Sequence, residues 1–468
     1  MTINFIESFL GNNRLFNFSA TNFQLEDSTR NELVNQNLNQ HLNTSQKKIK
    51  NEPFIKNLFC GKYIFDYLNY PEYDSNTELN QLNKSYIEPA RDYFQKQTHD
   101  KMVSSNGEFT ADAINKFNSL SLYSSSFPKN YGGYELDSTI LTRVIEEMGV
   151  FPSLAVNYIY SNEIAAKCIL LFGSSEQKSK YLNRISSGEA KACYCYSEPD
   201  NGSDPARFNV IATVDKSSKN SEIDYVLNGK KSWIASLSND PEKNDLVFIV
   251  ICKTLESDKK ECVNAFLIEK STEGLEMSKI VSNNDGLNLY EVNLNNVKVS
   301  KRNLLGLPGM GFEIGNKVLE NSRFLVGAIC VGLLKDLLKE TTSFCVNSKR
   351  FGKSLSEFPI VKEKIAQIET AIYAMESMTY FTAGIVDSYE IPDVGSESAL
   401  TKIFCTEQLK VCIISSSKKK NSKNLFYSCL VMHRQLLRNL WYRSIQKFGP
   451  VQKKNFTRHQ FFIYNAKH

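Results

Sequence analysis

The spacing of apolar residues changes twice along the 468-residue chain. From residue 51 to about 186, apolar positions recur at helical spacing, which predicts a series of amphipathic helices. Asp137 or Ser138 is expected to cap one of these helices, and Ser174 or Ser175 another, because their short polar side chains accept hydrogen bonds from free N–H groups. The chain from residue 51 to about 186 is therefore predicted to be helical.

Alternation with a period of two replaces the helical spacing from residue 190 to about 300. Short runs rich in β-branched and aromatic residues predict at least five strands, with no helix between them. Asn228-Gly229 lies between DYVL and KKSWI. It predicts a two-residue hairpin, because the tight turns of hairpins need residues that accept positive φ. We expect an antiparallel, barrel-like domain here.

The helical spacing returns after about residue 305 and predicts two long helices and the start of a third. Helices, then strands, then helices indicate an α+β multidomain protein. The expected segments are a largely disordered, possibly targeting stretch (1–50), an N-terminal helical domain (51–189), a middle β domain (190–305), a partial C-terminal helical bundle (306–412) and a divergent basic tail (413–468).

Composition narrows the class of protein. The chain is 41% apolar and 23% charged, as in ordinary soluble proteins, and no run of about 18 apolar residues lacks polar interruption. Eleven cysteines without a short-spaced framework are typical of a reducing compartment. Cys193 and Cys195 have no nearby Cys or His, so core packing is favoured over a zinc site.

The net charge of +5 conceals an uneven distribution. Residues 413–468 contain 12 Lys and Arg and no acid, whereas the preceding 412 residues carry 44 basic and 51 acidic groups. A basic tail can bind nucleic acid or anionic lipid. Alternatively, the tail does not belong to the same evolved unit as the body of the chain.

The strand that runs into Tyr196 ends abruptly at SEPDNGSD, where Pro199 cannot donate a ladder hydrogen bond. This stretch by itself indicates only a strand end and a turn. It occurs, however, in series with FPKNYGG, KYLNRISSGE, LNGKKSWI, NLLGLPGMGF and SRF. In this combination, over Glu52 to Cys412, the chain resembles the acyl-CoA dehydrogenase family. LSEF and MESMTYFTAG are most similar to its member nine, with the very-long-chain type next.

The resemblance implies FAD-dependent α,β-dehydrogenation of long-chain fatty acyl-CoA, in mitochondria, with electron-transfer flavoprotein as partner and a homodimeric assembly. Nucleic acid is not among the implied partners, and no metal is implied. The positions that match the family's cofactor contacts are Tyr194, Cys195, Tyr196, Ser197, Trp233, Ile234, Ala235 and Arg350. Those that match its acyl-CoA contacts are Ser203, Glu320 and Arg323.

Two cofactor positions depart from the family pattern. Ala235 stands where the family has a Ser or Thr that reaches the flavin. Ser236 follows it, but adjacent strand residues face opposite sides, so only a local bulge would bring its hydroxyl to the flavin. Ser348 stands where the family has the Arg that contacts a neighbouring subunit's flavin pyrophosphate, which leaves Arg350 to reach it by another route.

The substrate positions also carry a simpler interpretation. Glu320 and Arg323 are three residues apart and share a helix face, so they can form an intrahelical ion pair instead of contacting acyl-CoA.

No catalytic base is assigned. The family's Glu-Gly-Thr loop is not found, the last carboxylate in the chain is Glu407, and Ser322 stands where some members place the base. We therefore expect impaired dehydrogenation. The alternatives are a non-catalytic assembly factor for respiratory complex I and an unstable truncated product. The tail is interpreted as a frameshift, retained intron or premature end, against a lineage-specific extension.

Overall fold

A computed structural model of the chain contains two helical regions with a sheet between them. They follow one another in the predicted order. The structure describes residues 48–50, 53–63, 81–104, 108–120, 122–202, 204, 207–215, 224–236, 245–255, 261–282 and 288–416. The expectations for residues 1–47 and for the basic tail beyond residue 416 lie outside these ranges.

The N-terminal region is helical after one short strand, β1 (Lys48–Lys50). Its helices are α1 (Phe54–Phe59), α2 (Glu88–Phe94), α3 (His99–Met102), α4 (Ala111–Ser119), α5 (Ser138–Met148), α6 (Pro152–Tyr158), α7 (Lys167–Phe172) and α8 (Ser175–Ser186). A π-helical segment, Ile159–Ala166, joins α6 to α7 and makes one buried helical run of them.

The predicted helix caps are correct in one case and wrong in the other. Ser174 and Gln177 form a reciprocal capping box at the start of α8. At α5, however, the side chain of Asp137 makes no capping bond. Asp387, from a distant helix, instead accepts hydrogen bonds from the Ser138 and Thr139 amides, at 2.6 and 2.8 Å. A cap supplied across the fold cannot be predicted from the local sequence.

One eight-stranded sheet forms the middle of the fold. Its strands are β2 (Ala190–Cys195), β3 (Ile211–Asp215), β4 (Asp224–Ala235), β5 (Asp245–Leu255), β6 (Glu261–Glu269), β7 (Leu275–Ser282), β8 (Asn288–Ser300) and β9 (Leu304–Leu305). They run in the order β7-β8-β4-β3-β5-β6-β9, and β2 pairs with β5. The expected antiparallel pairing holds only in part, because β2 and β3 lie parallel to β5. The described strands form no closed barrel.

The hairpin predicted at Asn228-Gly229 is wrong. β4 continues straight through these residues and pairs with β8 as far as Ala235. The register shifts by one residue between Leu227 and Gly229, where Gly229 has a φ of 133°. The Asn228 side chain accepts a hydrogen bond from the Asn296 amide on β8, at 2.8 Å. The extra residue lies on β8, where Asn295 and Asn296 together face Asn228 and Asn296 has a φ of 53°. Asn228 therefore faces a bulge of the partner strand, which lies about 70 residues away in sequence.

The C-terminal region consists of α9 (Gly311–Ser322), α10 (Leu325–Asn347), α11 (Pro359–Ser388) and α12 (Gly395–Ser416), with the short strands β10 (Lys349–Arg350), β11 (Lys353–Ser354) and β12 (Tyr389–Ile391). The first half of α10 is buried on every side, from Leu325 to Leu334. It packs against α5, α11 and α12 and so joins the two helical regions.

Replacing Asp387 with Ala is expected to lower the free energy of unfolding by about 1–2 kcal/mol, because the first turn of α5 loses its acceptor. Chemical denaturation measures the change. The control is Asp393→Ala, which removes an ion pair with Lys56 whose side chains are 33% and 53% exposed. Its expected cost is below about 1 kcal/mol. Equal losses in the two variants would contradict the capping role of Asp387.

Candidate functional site

The end of β2 presents two different faces. Cys193 and Cys195 point into the hydrophobic core of the sheet, as expected for packing residues. Tyr194 and Tyr196 point the other way, towards α9, with their rings stacked at 5.6 Å between centroids. The Tyr194 hydroxyl donates to the Gly315 carbonyl at 3.1 Å. Burial raises the pKa of Tyr194 well above its usual value, so this hydroxyl stays a donor.

A glycine allows α9 to approach these tyrosines. A methyl group on Gly315 would lie 2.6 Å from Cε2 of Tyr196 and 3.1 Å from the Tyr194 hydroxyl oxygen. The Tyr196 hydroxyl also lies 3.4 Å from Oδ1 of Asn316. The backbone of α9 is therefore fixed against the strand end from which Ser197 follows.

Ser197 lies beside the bulged part of β4. Its carbonyl accepts a hydrogen bond from the Ser232 amide at 3.0 Å. Lys231 pairs with Val292 and Ile234 with Tyr290, so β4 contains one residue more than β8 in this interval. Trp233 occupies the bulge with a φ of 65°, a left-handed conformation that is rare for an aromatic residue. Bulges of this kind redirect a side chain.

The bulge brings together two of the predicted cofactor residues, Ser197 and Trp233, which form the two walls of the candidate site. Ser197 and Trp233 are both half-buried, whereas their neighbours Tyr196, Ile234 and Ala235 are buried. A serine and a tryptophan, both half-buried, thus lie close together where the strand end meets the bulge. This donor set fits a flat heteroaromatic ring with polar edges, such as an isoalloxazine, which stacks on aromatic faces and accepts hydrogen bonds.

Ala235 leaves this site without a second hydroxyl. The bulge precedes Ile234, and regular pairing resumes at Ile234 and Ala235. Ser236 consequently lies on the core side of β4 with Ile234, next to the Cys193 thiol. Burial raises the pKa of Cys193 to about 12, and the Ser236 hydroxyl opposes that shift.

One part of the site, a buried ion pair, was not predicted from the sequence. Glu198 and Lys231 form an ion pair of 2.9 Å, and both side chains are almost fully buried. The available signal was that Lys231 continues the core-facing alternation of Tyr225 and Leu227 in β4, two positions before the tryptophan. The pattern of alternation assigns Lys231 to a strand but gives no indication of its partner.

The predicted substrate residues lie on α9 and face the start of α12. The Arg323 guanidinium donates to the Gly395 carbonyl at 3.1 Å, and Glu320 lies beside the same glycine. Burial lowers the pKa of Arg323, and the charge of Glu320 opposes that shift. Ser322 is fully buried and donates to the carbonyl of Glu163 in the π-helical segment.

Arg350 is not part of this cluster. Arg350 is exposed in the β10–β11 hairpin, beyond the 23-residue helix α10. At a rise of about 1.5 Å per residue, it lies some 35 Å from the start of that helix. Ser203 falls outside the described residues.

The described residues include no group of three or more Cys, His, Asp or Glu side chains arranged to bind a metal. Among the same residues, no helix combines the length and apolar character that a bilayer span requires.

Comparisons with known proteins agree with the arrangement of the fold. Three family models match in order: "Acyl-CoA dehydrogenase, N-terminal domain" at residues 81–189, the "middle domain" at 193–297 and the "C-terminal domain" at 309–416. The mouse very long-chain specific acyl-CoA dehydrogenase is 30% identical over 77% of this chain and 55% of that protein. The chain thus spans about half the length of such relatives.

Solved structures show the same fold at low identity. Butyryl-CoA dehydrogenase from Megasphaera elsdenii superposes with a TM-score of 0.67 at 22% identity, over 75% of this chain and 93% of that one. A glutaryl-CoA dehydrogenase from Mycobacterium smegmatis, in complex with FADH2, has a TM-score of 0.67 at 21% identity, over 79% and 92%.

Replacing Gly315 with Ala is expected to destabilise the chain by about 1–3 kcal/mol, because the added methyl group overlaps the ring of Tyr196. The matched control is Gly384→Ala in α11, where no atom lies within 4 Å of the added methyl group. That variant is expected to gain about 0.5–1 kcal/mol from helix propensity. Chemical denaturation of both variants measures the difference, and a stabilised Gly315→Ala chain would contradict the close packing of α9.

Proposed function

Because the chain belongs to the acyl-CoA dehydrogenase family, we propose that it is a flavoprotein that binds FAD and a fatty acyl-CoA thioester. The observation that carries this proposal is the contact between the Ser197 carbonyl and the Ser232 amide. It brings a hydroxyl-bearing strand end next to the left-handed Trp233, and the two together fit the isoalloxazine ring.

The residues of this chain would bind and orient the ring. The indole of Trp233 would pack against one side of it, and the Ser197 hydroxyl and the backbone around Tyr196 would hydrogen-bond its polar edge. Bound FAD would supply the oxidising chemistry by accepting a hydride from the substrate. The pyrophosphate contacts fall to residues outside this cluster, and Arg350 is the candidate, acting on the cofactor of a neighbouring subunit in a homodimer.

Glu320 and Arg323 are proposed to contact the acyl-CoA near the start of α12. The half-buried Arg323 offers guanidinium donors beyond the one bonded to Gly395, and thioester carbonyls and amides accept such bonds. Ser203 is kept as a further substrate contact on the family resemblance. The names of the very long-chain relatives favour a long acyl chain and a mitochondrial location. Electron-transfer flavoprotein is kept as the proposed acceptor on the family resemblance.

Dehydrogenation is proposed to be impaired. A base must approach the α proton of the substrate to about 3 Å. Ser322, at the position where some family members have the base, is fully buried and hydrogen-bonded to the backbone of Glu163. Ala235 also removes one hydroxyl from the cofactor site. These two positions favour weak or absent turnover, and the resemblance to member nine of the family supplies a second candidate function, a non-catalytic assembly factor for respiratory complex I.

FAD binding tests the first part of the proposal. The purified full chain is expected to bind FAD in a titration followed by flavin fluorescence and the visible spectrum. Trp233→Ala should weaken binding by about tenfold or more, because central aromatic contacts dominate binding energies. Trp233→Phe keeps a flat ring and should lose less. Tyr373→Ala, at a residue of α11 that is 74% exposed, serves as the control. Equal affinities in all four proteins, or no binding to the unmodified chain, would contradict the proposed site.

Turnover separates the two candidate functions. With palmitoyl-CoA and an artificial electron acceptor, the FAD-loaded chain is expected to show little or no reduction. Rapid turnover would contradict the proposal that dehydrogenation is impaired. It would leave the proposal that the chain is a flavoprotein unaffected. A colourless, monodisperse protein that captures purified complex I subunits would favour the assembly role.

A further inference from the structure

The ion pair between Glu198 and Lys231 is isolated from water. Oε1 of Glu198 lies 2.9 Å from Nζ of Lys231, and the side chains are 1% and 0% exposed. Burying two charges is costly unless each finds further hydrogen bonds. Glu198 also accepts from the Asn209 and Val210 amides, at 2.6 and 3.2 Å. The pair is therefore a built site with satisfied partners.

Lys231 reaches beyond its acid partner. Its ammonium group donates to the Tyr196 carbonyl at 3.0 Å and lies 4.6 Å from the ring centroid of Phe208. Burial lowers the pKa of Lys231, whereas the charge of Glu198 opposes that shift. Three contacts of different kinds thus fix the position of one ammonium group.

The stability of the fold alone does not account for this arrangement. Replacing a buried ion pair with apolar residues of similar volume is often neutral or stabilising, whereas removing one partner costs about 3–5 kcal/mol. A buried pair is thus better suited to fixing a geometry than to stabilising the core. The position of the pair in the chain indicates which geometry is fixed.

The pair joins the two walls of the candidate site. Tyr196 and Glu198, which both bond to Lys231, flank Ser197 on either side. Lys231 is the last regularly paired residue before the bulge that contains Trp233. On the other strand face, Glu291 of β8 accepts from Lys230 and from the Ser232 hydroxyl, at 2.8 and 3.1 Å. The bulge is held on both sides of β4.

We propose that the Glu198–Lys231 pair is a positioning element that sets the spacing between Ser197 and Trp233 and so pre-forms the binding site for the flavin ring. Neither side chain contacts the ring, and both act through the backbone. The inference rests on the proposed function, because the ligand positioned is FAD. Its consequence is that FAD affinity depends on two residues that the cofactor does not touch.

A double variant separates positioning from stability. Glu198→Gln/Lys231→Met removes both charges together, so that no charge is left buried and unpaired. We expect this chain to fold with near-normal thermal stability and to bind FAD about tenfold or more weakly, because small displacements of a binding site are costly. Its bound flavin should show a shifted visible spectrum. In the cofactor-free chain, hydrogen exchange of residues 229–236 should be faster than in the unmodified protein.

The matched control is Glu146→Gln/Lys335→Met. This double variant removes a 2.6 Å ion pair between α5 and α10, distant in sequence from both walls. It should leave FAD affinity, the visible spectrum and exchange of residues 229–236 unchanged. Glu198→Asp is the second test variant, since it keeps the charge and withdraws the carboxylate by one methylene group. It too should fold and bind FAD more weakly.

The outcomes are distinct. Failure of the unmodified chain to bind FAD would contradict the proposed function and this inference together. Normal FAD affinity and normal exchange in the double variant, with the unmodified chain binding FAD, would contradict the inference alone. Loss of folding in both the double variant and Glu198→Asp would assign the pair to stability and would also overturn it.

Discussion

A pair of opposite charges without access to water determines how the strand end and the bulged strand meet. Removing either Glu198 or Lys231 alone would leave the other charge buried without a partner. The pair therefore fixes the relative position of two segments about 30 residues apart in sequence. Pro199 turns the chain out of the sheet directly after Glu198, and the bulge of β4 begins directly after Lys231.

Helix α9 contributes to the same site because its backbone lies close against the end of β2. Gly315 lets α9 contact the two tyrosines of β2, which stack on each other and donate towards that helix. β2 emerges from α8 and lies parallel to β5, and its end reaches α9 through the two tyrosines. Ser197 therefore lies between a rigid helix on one side and a bulge on the other, and its position depends on both.

Local periodicity was sufficient to predict the order of helices and strands, and the strand end at Tyr196 with its turn at Pro199. It failed wherever a distant segment decided the outcome. Asn228-Gly229 has the sequence of a hairpin turn, but β8 continues the ladder past it. The start of α5 has its own candidate cap, but Asp387 of α11 supplies the acceptor. Lys231 continues the core-facing alternation of β4, and only the fold reveals that Glu198 lies opposite it.

The bulge also determines what the departure at Ala235 means. The bulge shifts the register by one residue, and pairing is regular again, in the new register, from Ile234. Alternation therefore keeps Ser236 on the core side, beside Cys193, so the hydroxyl missing at Ala235 is not recovered from the next residue. The described contacts leave Ser197 as the hydroxyl on the exposed side, next to an indole whose left-handed backbone is maintained by its neighbours. A site with fewer hydrogen-bond donors relies more on rigid geometry for affinity, because a pre-formed site loses less entropy on binding. The proposed positioning role of the Glu198–Lys231 pair meets this requirement, because the pair fixes the distance between the two segments.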